Sequence, residues 1–228
     1  MSFNWTQYAV GPENAHIATL GLASVAALTM GLIAKAQLGK GEQALVPAGK
    51  FSLRALFEVN VEFIHKLASS IIGKNGYKYV PYFAALFGFI FLNNLIGVIP
   101  GMTPATENIN TAFAFGVFSF LSYNIVGAKE GGSHYFAHFL GPIWWLAPLM
   151  LIIELVAHFI RPLTLGLRLS NVMTGDHTVL SVFLNIVPYP LLIPIPFYIL
   201  GLIVCFIQAF VFTLLSMVYI ALAQASDH

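Results

Sequence analysis

The stretch RPLTLGLRLSN, residues 161–171, sets two arginines seven positions apart in a segment otherwise suited to hydrocarbon. It lies within a long apolar run, residues 140–187, and a second such run follows at residues 191–224. A helix rises about 1.5 Å per residue and needs roughly 20 residues to cross a bilayer, so both runs exceed an upright span. We expect two long, strongly tilted helices, unless Pro162 and the prolines between 188 and 196 divide them further.

The whole chain has the composition of an integral membrane protein. Of its 228 residues, 58% are hydrophobic and only 8% are charged, and the mean hydropathy is +0.83. The period-two alternation of membrane barrels is absent from the sequence, so the expected fold class is all-α and polytopic. We predict one membrane domain with about five crossings, at residues 17–34, 80–100, 111–127, 140–187 and 191–224.

The distribution of charge predicts the orientation. The connector at residues 35–79 holds seven of the ten basic residues, and such connectors tend to lie in the cytoplasm. The amino terminus is then outside and the carboxyl terminus cytoplasmic. No Lys or Arg precedes the first apolar run, so a secretory signal or a transit peptide is not expected. A net charge of +1 gives no indication of nucleic-acid binding.

Residues 51–72 of this connector predict an amphipathic helix. Four charged side chains recur every fourth residue and share one helical face, while apolar side chains occupy the opposite face. The charged residues are Arg54, Glu58, Glu62 and Lys66. We expect this helix to lie flat in the membrane interface.

Five ionisable residues of the 140–187 run fall on one stripe of a helical wheel, with Pro162 as a possible source of local rotation. They are Glu154, His158, Arg161, Arg168 and Asp176, whereas His177 points toward a different neighbour. Ionisable side chains at mid-membrane cost about 2.5 to 3.5 kcal/mol each on insertion scales. The stripe is therefore expected to face water or a partner.

Arg168 lacks an obvious counter-charge in this sequence. Glu154 can pair with His158 or Arg161, but it is fourteen residues, about 21 Å of helix, from Arg168. Arginine keeps its charge where a buried lysine or carboxyl would lose it. A carboxylate about 4 Å away would gain about 4 kcal/mol at a dielectric near 20, comparable to its desolvation penalty. We predict that another helix or another protein supplies the acid, and that Arg168 keeps it ionised.

These residues resemble subunit a of the rotary ATP synthases, the stator subunit beside the membrane rotor ring. The resemblance rests on ELVAHFIRPLTLGLRLSN, FLNNLIGVIPGMTPATENIN and IQAFVFTLLSMVYI, and covers roughly residues 15–225. It implies that Arg168 is the essential arginine, which faces the rotor carboxylate and separates two aqueous half-channels. Proton flow through these half-channels then drives ring rotation and ATP synthesis.

The same resemblance assigns the other candidate residues to two routes. Glu154 and His158 belong to the cytoplasmic route; Asn171, His177 and Gln208 belong to the outer one. Gln208 either bridges to Arg168 or makes an ordinary polar contact between helices.

Two positions depart from the family pattern. Asn171 follows Arg168 by three residues instead of four, which leaves its role open. Gly201 replaces a residue that is often titratable, so His177 is expected to use Asp176 or water as its partner. Because histidine titrates near neutrality, His177 favours H⁺ as the ion.

The resemblance also implies the partners and the location. The partners are the ring of rotor c subunits, the peripheral-stalk b subunits, other ATP synthase subunits and membrane lipid; no cofactor and no nucleic acid are expected. No Gly-rich phosphate motif and no Ser/His/Asp set occurs, so the chain is predicted to be non-catalytic. The expected location is a bacterial inner membrane.

Two other function classes remain open from the sequence. One is a redox, haem or metal enzyme that uses His158 with His134 and His138, two histidines expected in a loop beside Gly131 and Gly132. The other is a self-contained solute carrier.

Overall fold

A computed structural model describes residues 5–11, 14–38, 52–73, 75–99, 101–138, 147–186 and 194–225. Seven α-helices cover most of these residues: α1 (Trp5–Val10), α2 (Ala15–Gln37), α3 (Leu53–Ile71), α4 (Val80–Val98), α5 (Ile109–His138), α6 (Ala147–Ile186) and α7 (Pro194–Ala225). Two short 3₁₀ helices, Gly76–Tyr79 and Ala105–Glu107, lie in the connections. We refer to Ala105–Glu107 as the loop helix.

The prediction of an all-α polytopic protein is confirmed. Five helices are long and apolar enough to span a membrane, and no strand occurs among the described residues. These candidate spans are Ala15–Gln37, Gly76–Val98, Ile109–Lys129, Pro148–Leu180 and Ile195–Gln224. The chain is therefore an integral multi-pass membrane protein.

The two long apolar runs each form one long helix in the described residues. Helix α6 continues through Pro162, whose missing N–H and ring usually kink or break a helix. Its arginine segment therefore stays on one continuous element. Residues 139–146 and 187–193, where the predicted segments begin and end, lie outside the described residues.

Helix α5 is longer than the predicted span at residues 111–127. It runs through Gly131 and Gly132 to His138, so the expected loop around His134 and His138 is wrong. Neither glycine adopts the positive φ that commonly ends a helix. A glycine inside a helix costs only about 1 kcal/mol relative to alanine, so a glycine pair does not by itself end a helix.

Helix α4 lies at the centre of the apolar core, where it packs against α2, α3 and α7. The amphipathic helix α3 contributes Ile64 and Ala68 to that core and leaves Glu62 and Lys66 exposed. Its charges pair along the helix as the spacing predicts. Arg54 Nε lies 2.6 Å from Glu58 Oε1, and Lys66 Nζ lies 2.7 Å from Glu62 Oε1.

Glycines bring α5 and α6 into close contact beside the arginine segment. A Cβ on Gly166 would lie 2.8 Å from the Phe113 Cα, and one on Gly116 would overlap the Pro162 carbonyl oxygen. Small residues at such crossings let two backbones approach in a membrane, where packing holds helices together. This contact fixes α6 against α5 just before Arg168.

Candidate functional site

The charge of Arg161, the first arginine of α6, is balanced by an acid on the same helix. Arg161 Nη2 lies 3.6 Å from Glu154 Oε1, and its guanidinium carbon lies 5.6 Å from the ring centre of Tyr219 on α7. Of the two possible partners for Glu154, the structure thus selects Arg161. The ion pair and the aromatic contact join α6 to α7.

His158 turns away from this pair toward α5. It is only 7% exposed, its Nε2 lies 2.9 Å from Asn124 Oδ1, and its Nδ1 lies 3.1 Å from the Tyr123 hydroxyl. An Nε2–H that donates to the amide oxygen and a hydroxyl that donates to Nδ1 satisfy the neutral ring. His158 therefore interlocks two helices, a role that its place on the predicted stripe did not indicate.

Arg168 differs from Arg161 in its surroundings. Its side chain is exposed, and among the described residues no acid lies within ion-pair distance of its guanidinium. It lines a narrow crevice between α6 and α7 together with Gln208, Leu165, Leu169 and Phe212. No hydrogen bond joins Arg168 to Gln208 in the part of the chain that the structure describes. The side chains of Arg168 and Gln208 therefore line the same crevice.

His177 connects the carboxyl-terminal half of α6 to two other elements. Its Nε2 lies 2.8 Å from the Gly97 carbonyl oxygen of α4, and its Nδ1 lies 3.2 Å from Glu107 Oε2 of the loop helix. Because a carbonyl only accepts, Nε2 carries a hydrogen. The contact between Nδ1 and Glu107 Oε2 is an ion pair when the imidazole is protonated.

Glycines make room for both titratable residues at this end. A Cβ on Gly97 would lie 2.8 Å from His177 Nε2, so glycine lets the imidazole reach the backbone of α4. A Cβ on Gly201 would lie 2.9 Å from Asp176 Oδ2, so the Asp176 carboxyl lies directly against α7. Asn171 is exposed and belongs to neither contact.

The loop helix is fixed between α4 and α6 by hydrogen bonds. Thr106 Oγ1 donates to Asn94 Oδ1 at 2.7 Å, and Ser170 Oγ donates to the Glu107 carbonyl oxygen at 2.8 Å. Glu107 was not singled out from the sequence, although it is the sole acid of an otherwise uncharged stretch between two spans. Its pairing with His177 joins residues that are seventy positions apart.

A cavity of about 390 Å³ opens beside Glu107, and we call it the loop cavity. Its lining combines α2, the loop helix with its flanking residues, and α6. The lining residues are Ala15, His16, Thr103, Pro104, Glu107, Asn108, Ile109 and Thr174. The Glu107 carboxyl therefore lies between a polar cavity and the ring of His177.

Comparison with known proteins identifies the family. Residues 17–221 match the family described as ATP synthase A chain, which is most of the sequence. The chain belongs to the ATP synthase A chain family.

Individual relatives of this ATP synthase A chain family member are similar along most of their length. The protein named "ATP synthase subunit a" of Bdellovibrio bacteriovorus is 62% identical over 231 aligned positions, which cover 100% of both chains. The protein of that name from Geobacter sulfurreducens is 47% identical over 175 positions, or 77% of this chain and 74% of its own. "ATP synthase subunit a 2" of Syntrophotalea carbinolica is 43% identical over 213 positions, or 93% and 87%.

In this member of the ATP synthase A chain family, the candidate residues lie in three places along α6. Glu154 and His158 lie in its amino-terminal half, Arg168 faces Gln208 near the middle, and the pair Asp176 and His177 follows. The described residues bring together no group of three or more His, Cys, Asp or Glu side chains able to hold a metal ion.

Proposed function

We propose that this chain is the proton-conducting stator subunit of an ATP synthase and works against a ring of rotor c subunits. The observation that carries the proposal is the exposed guanidinium of Arg168, which has no acid within ion-pair distance among the described residues. The names of its relatives in the ATP synthase A chain family support the same assignment. The chain itself is non-catalytic, and nucleotide chemistry belongs to other subunits.

The permanent charge of Arg168 suits a carboxyl that arrives from another molecule. A carboxyl that faces lipid stays neutral, because desolvation can raise its pKa by about 3 to 5 units. At about 4 Å, Arg168 would favour the ionised form by about 4 kcal/mol, enough to offset most of that penalty. Each rotor carboxyl would release its proton on meeting Arg168 and take up another before it returned to lipid.

The positions of the other groups support the proposal of two separate proton routes. Glu154 and His177 are about 35 Å apart along the helix, with Arg168 between them. We assign Glu154, with His158, to the cytoplasmic half-channel, and Asp176, His177, Gln208 and Asn171 to the outer one. Arg168 prevents direct passage between the two, so protons must travel on the ring. Each proton then delivers about 2.3 kcal/mol per 100 mV.

This assignment fixes the environment that we propose for the chain. The amino terminus lies outside and the carboxyl terminus in the cytoplasm of a bacterial inner membrane. Helix α3 lies in the interface, where its exposed charges face water and the peripheral-stalk b subunits. The transported ion is H⁺, since a histidine occupies the outer route.

The decisive experiment is Arg168→Ala in the assembled complex. We expect ATP-driven acidification of inverted membrane vesicles to fall below detection, because about 4 kcal/mol of stabilisation corresponds to roughly a thousandfold in rate. Immunoblots for every subunit and ATP hydrolysis by the complex serve as controls for assembly. Pumping at the rate of the unmodified complex would refute the proposed function.

A further inference from the structure

We propose that Tyr219 of α7 is a positioning residue of the cytoplasmic route: its ring fixes the Arg161 guanidinium and, through it, the Glu154 carboxyl. The inference rests on the proposed function and extends it to a residue of α7. Three observations carry it: the spacing of the ion pair, the contact between guanidinium and ring, and the packing around the ring.

The ion pair between Glu154 and Arg161 joins residues that are far apart along α6. They are separated by seven positions, about 10.5 Å of helix, whereas pairs along a helix commonly join residues three or four apart. Both side chains must therefore extend toward each other to come within 3.6 Å. They are 27% and 32% exposed, and a partly exposed pair contributes little by itself. A further contact is needed to keep the guanidinium in this position.

The ring of Tyr219 provides that contact. The guanidinium carbon of Arg161 lies 5.6 Å from the ring centre, within the distance of about 6 Å at which an aromatic face attracts a cation. A ring attracts the guanidinium without neutralising it, so the charge of Arg161 stays available to Glu154. An acid in place of Tyr219 would instead compete with Glu154 for the guanidinium.

The Tyr219 ring is itself supported by α5. Its centre lies 5.8 Å from the centre of the Tyr123 ring, with 51° between the two ring planes. Three residues earlier on α7, the buried Ser216 hydroxyl lies 2.7 Å from the Ser119 hydroxyl of α5. The residue after Tyr219, Ile220, is only 1% exposed. The ring therefore lies on a well-packed part of α7 and offers a rigid support to a flexible side chain.

The neighbours of Glu154 leave Arg161 as the group that fixes its carboxyl. His158 is four residues from Glu154, a common spacing for a pair, but both of its ring nitrogens contact side chains of α5. Helix α7 has no charged residue. A proton carrier needs a fixed distance to its donor and acceptor, so Tyr219 acts on the route through Arg161 and Glu154.

A contact that only joins α6 to α7 is the competing explanation. The two roles differ in their dependence on the Glu154 carboxyl. A positioning residue acts through that carboxyl, so its replacement has no further effect once the carboxyl has been removed. A purely structural contact lowers the rate by the same factor with or without the carboxyl, because the effects of independent sites add in free energy.

The experiment measures ATP-driven acidification of inverted vesicles that contain the assembled complex, normalised to the amount of complex. We expect Tyr219→Leu to lower the rate by roughly two- to fivefold, which corresponds to the usual strength of a partly exposed contact between a cation and a ring. Tyr219→Phe retains the ring and should pump at the rate of the unmodified complex.

The decisive comparison uses Glu154→Gln as a background. The double variant of Glu154→Gln and Tyr219→Leu should pump at the rate of Glu154→Gln alone. Tyr198→Leu, at another partly buried tyrosine of α7, is the matched control and should equal the unmodified complex. Tyr219→Met replaces Tyr219→Leu if the latter fails to assemble.

The results separate this inference from the proposed function. A Tyr219→Leu rate equal to that of Tyr219→Phe would overturn the role of Tyr219. The same conclusion would follow if Tyr219→Leu caused an equal loss in the Glu154→Gln background. In both cases, a loss of pumping in Arg168→Ala would leave the proposed function standing. If Arg168→Ala still pumps, the proposed function itself fails.

Discussion

Helix α6 carries two arginines seven residues apart, and their surroundings are opposite. Arg161 lies 3.6 Å from Glu154 and faces the Tyr219 ring, so its charge is balanced within the chain. Arg168 is exposed beside Gln208, and no acid lies within ion-pair distance among the described residues. A charge that is balanced internally joins helices, whereas one left open at a membrane-spanning surface indicates a partner that brings the opposite charge.

The two histidines of α6 show the same contrast. His158 is buried against the neutral groups of Tyr123 and Asn124, which hold the ring between α5 and α6. His177 faces the Glu107 carboxyl and lies close to the loop cavity. These contacts thus join His158 to a hydroxyl and an amide, and His177 to a carboxyl. Within the proposed function, we therefore assign proton transfer on the cytoplasmic route mainly to Glu154.

The largest effect is expected when the two arginines are each replaced by lysine and the two variants are compared. Lysine is a compact charge that sheds its proton when desolvated, whereas a guanidinium stays charged. We expect Arg168→Lys to abolish ATP-driven acidification of vesicles, the same outcome that we expect for Arg168→Ala. Arg161→Lys should keep most of it, because a nearby ammonium still balances Glu154.

The acidification rates of both lysine variants are normalised to the amount of assembled complex. If they lose activity equally, the difference in surroundings has no functional meaning. If Arg168→Lys pumps normally, permanence of the charge is not what the site requires.

A smaller effect is expected at Glu154. Glu154→Gln should slow acidification by about tenfold or less, because its side chain is 32% exposed and water can replace it as a carrier. Such a partly exposed ion pair contributes about 0 to 1 kcal/mol, so the variant complex should assemble normally. Thr164→Val is the matched control, since Thr164 is exposed on α6 and bonds only to its own helix. An unchanged rate in Glu154→Gln would remove this residue from the pathway.

The features that the sequence could predict depend on distances along the chain. The lengths of the apolar runs were sufficient to predict five spans. The distance along the chain between Arg168 and the nearest acids indicated that no counter-charge lies beside it in the sequence. The direction of His158 depended on where α5 lies, which a helical wheel does not contain. Glu107 and His177 are seventy positions apart in the sequence. Their contact depends on the conformation of the loop helix, which is set by hydrogen bonds to Asn94 and Ser170.

The smallest effect is expected for the exposed pair of Glu62 and Lys66 on α3, outside the spans. The hydrogen bond from Lys66, aided by its charge, lowers the pKa of Glu62. Because the pKa in the folded protein lies below its ordinary value, the pair stabilises at pH values above that ordinary value. The contribution is lost as pH falls through the lowered pKa.

We therefore expect Glu62→Gln to lower the thermal unfolding midpoint only slightly at neutral pH and low salt. The difference from the unmodified protein should vanish in acid and in high salt, which screens exposed charges. Thermal unfolding of the detergent-solubilised complex across pH tests this, with Lys66→Gln as the reciprocal variant. A difference that grew as the pH fell would show that Glu62 is stabilised in its protonated form and has a partner other than Lys66.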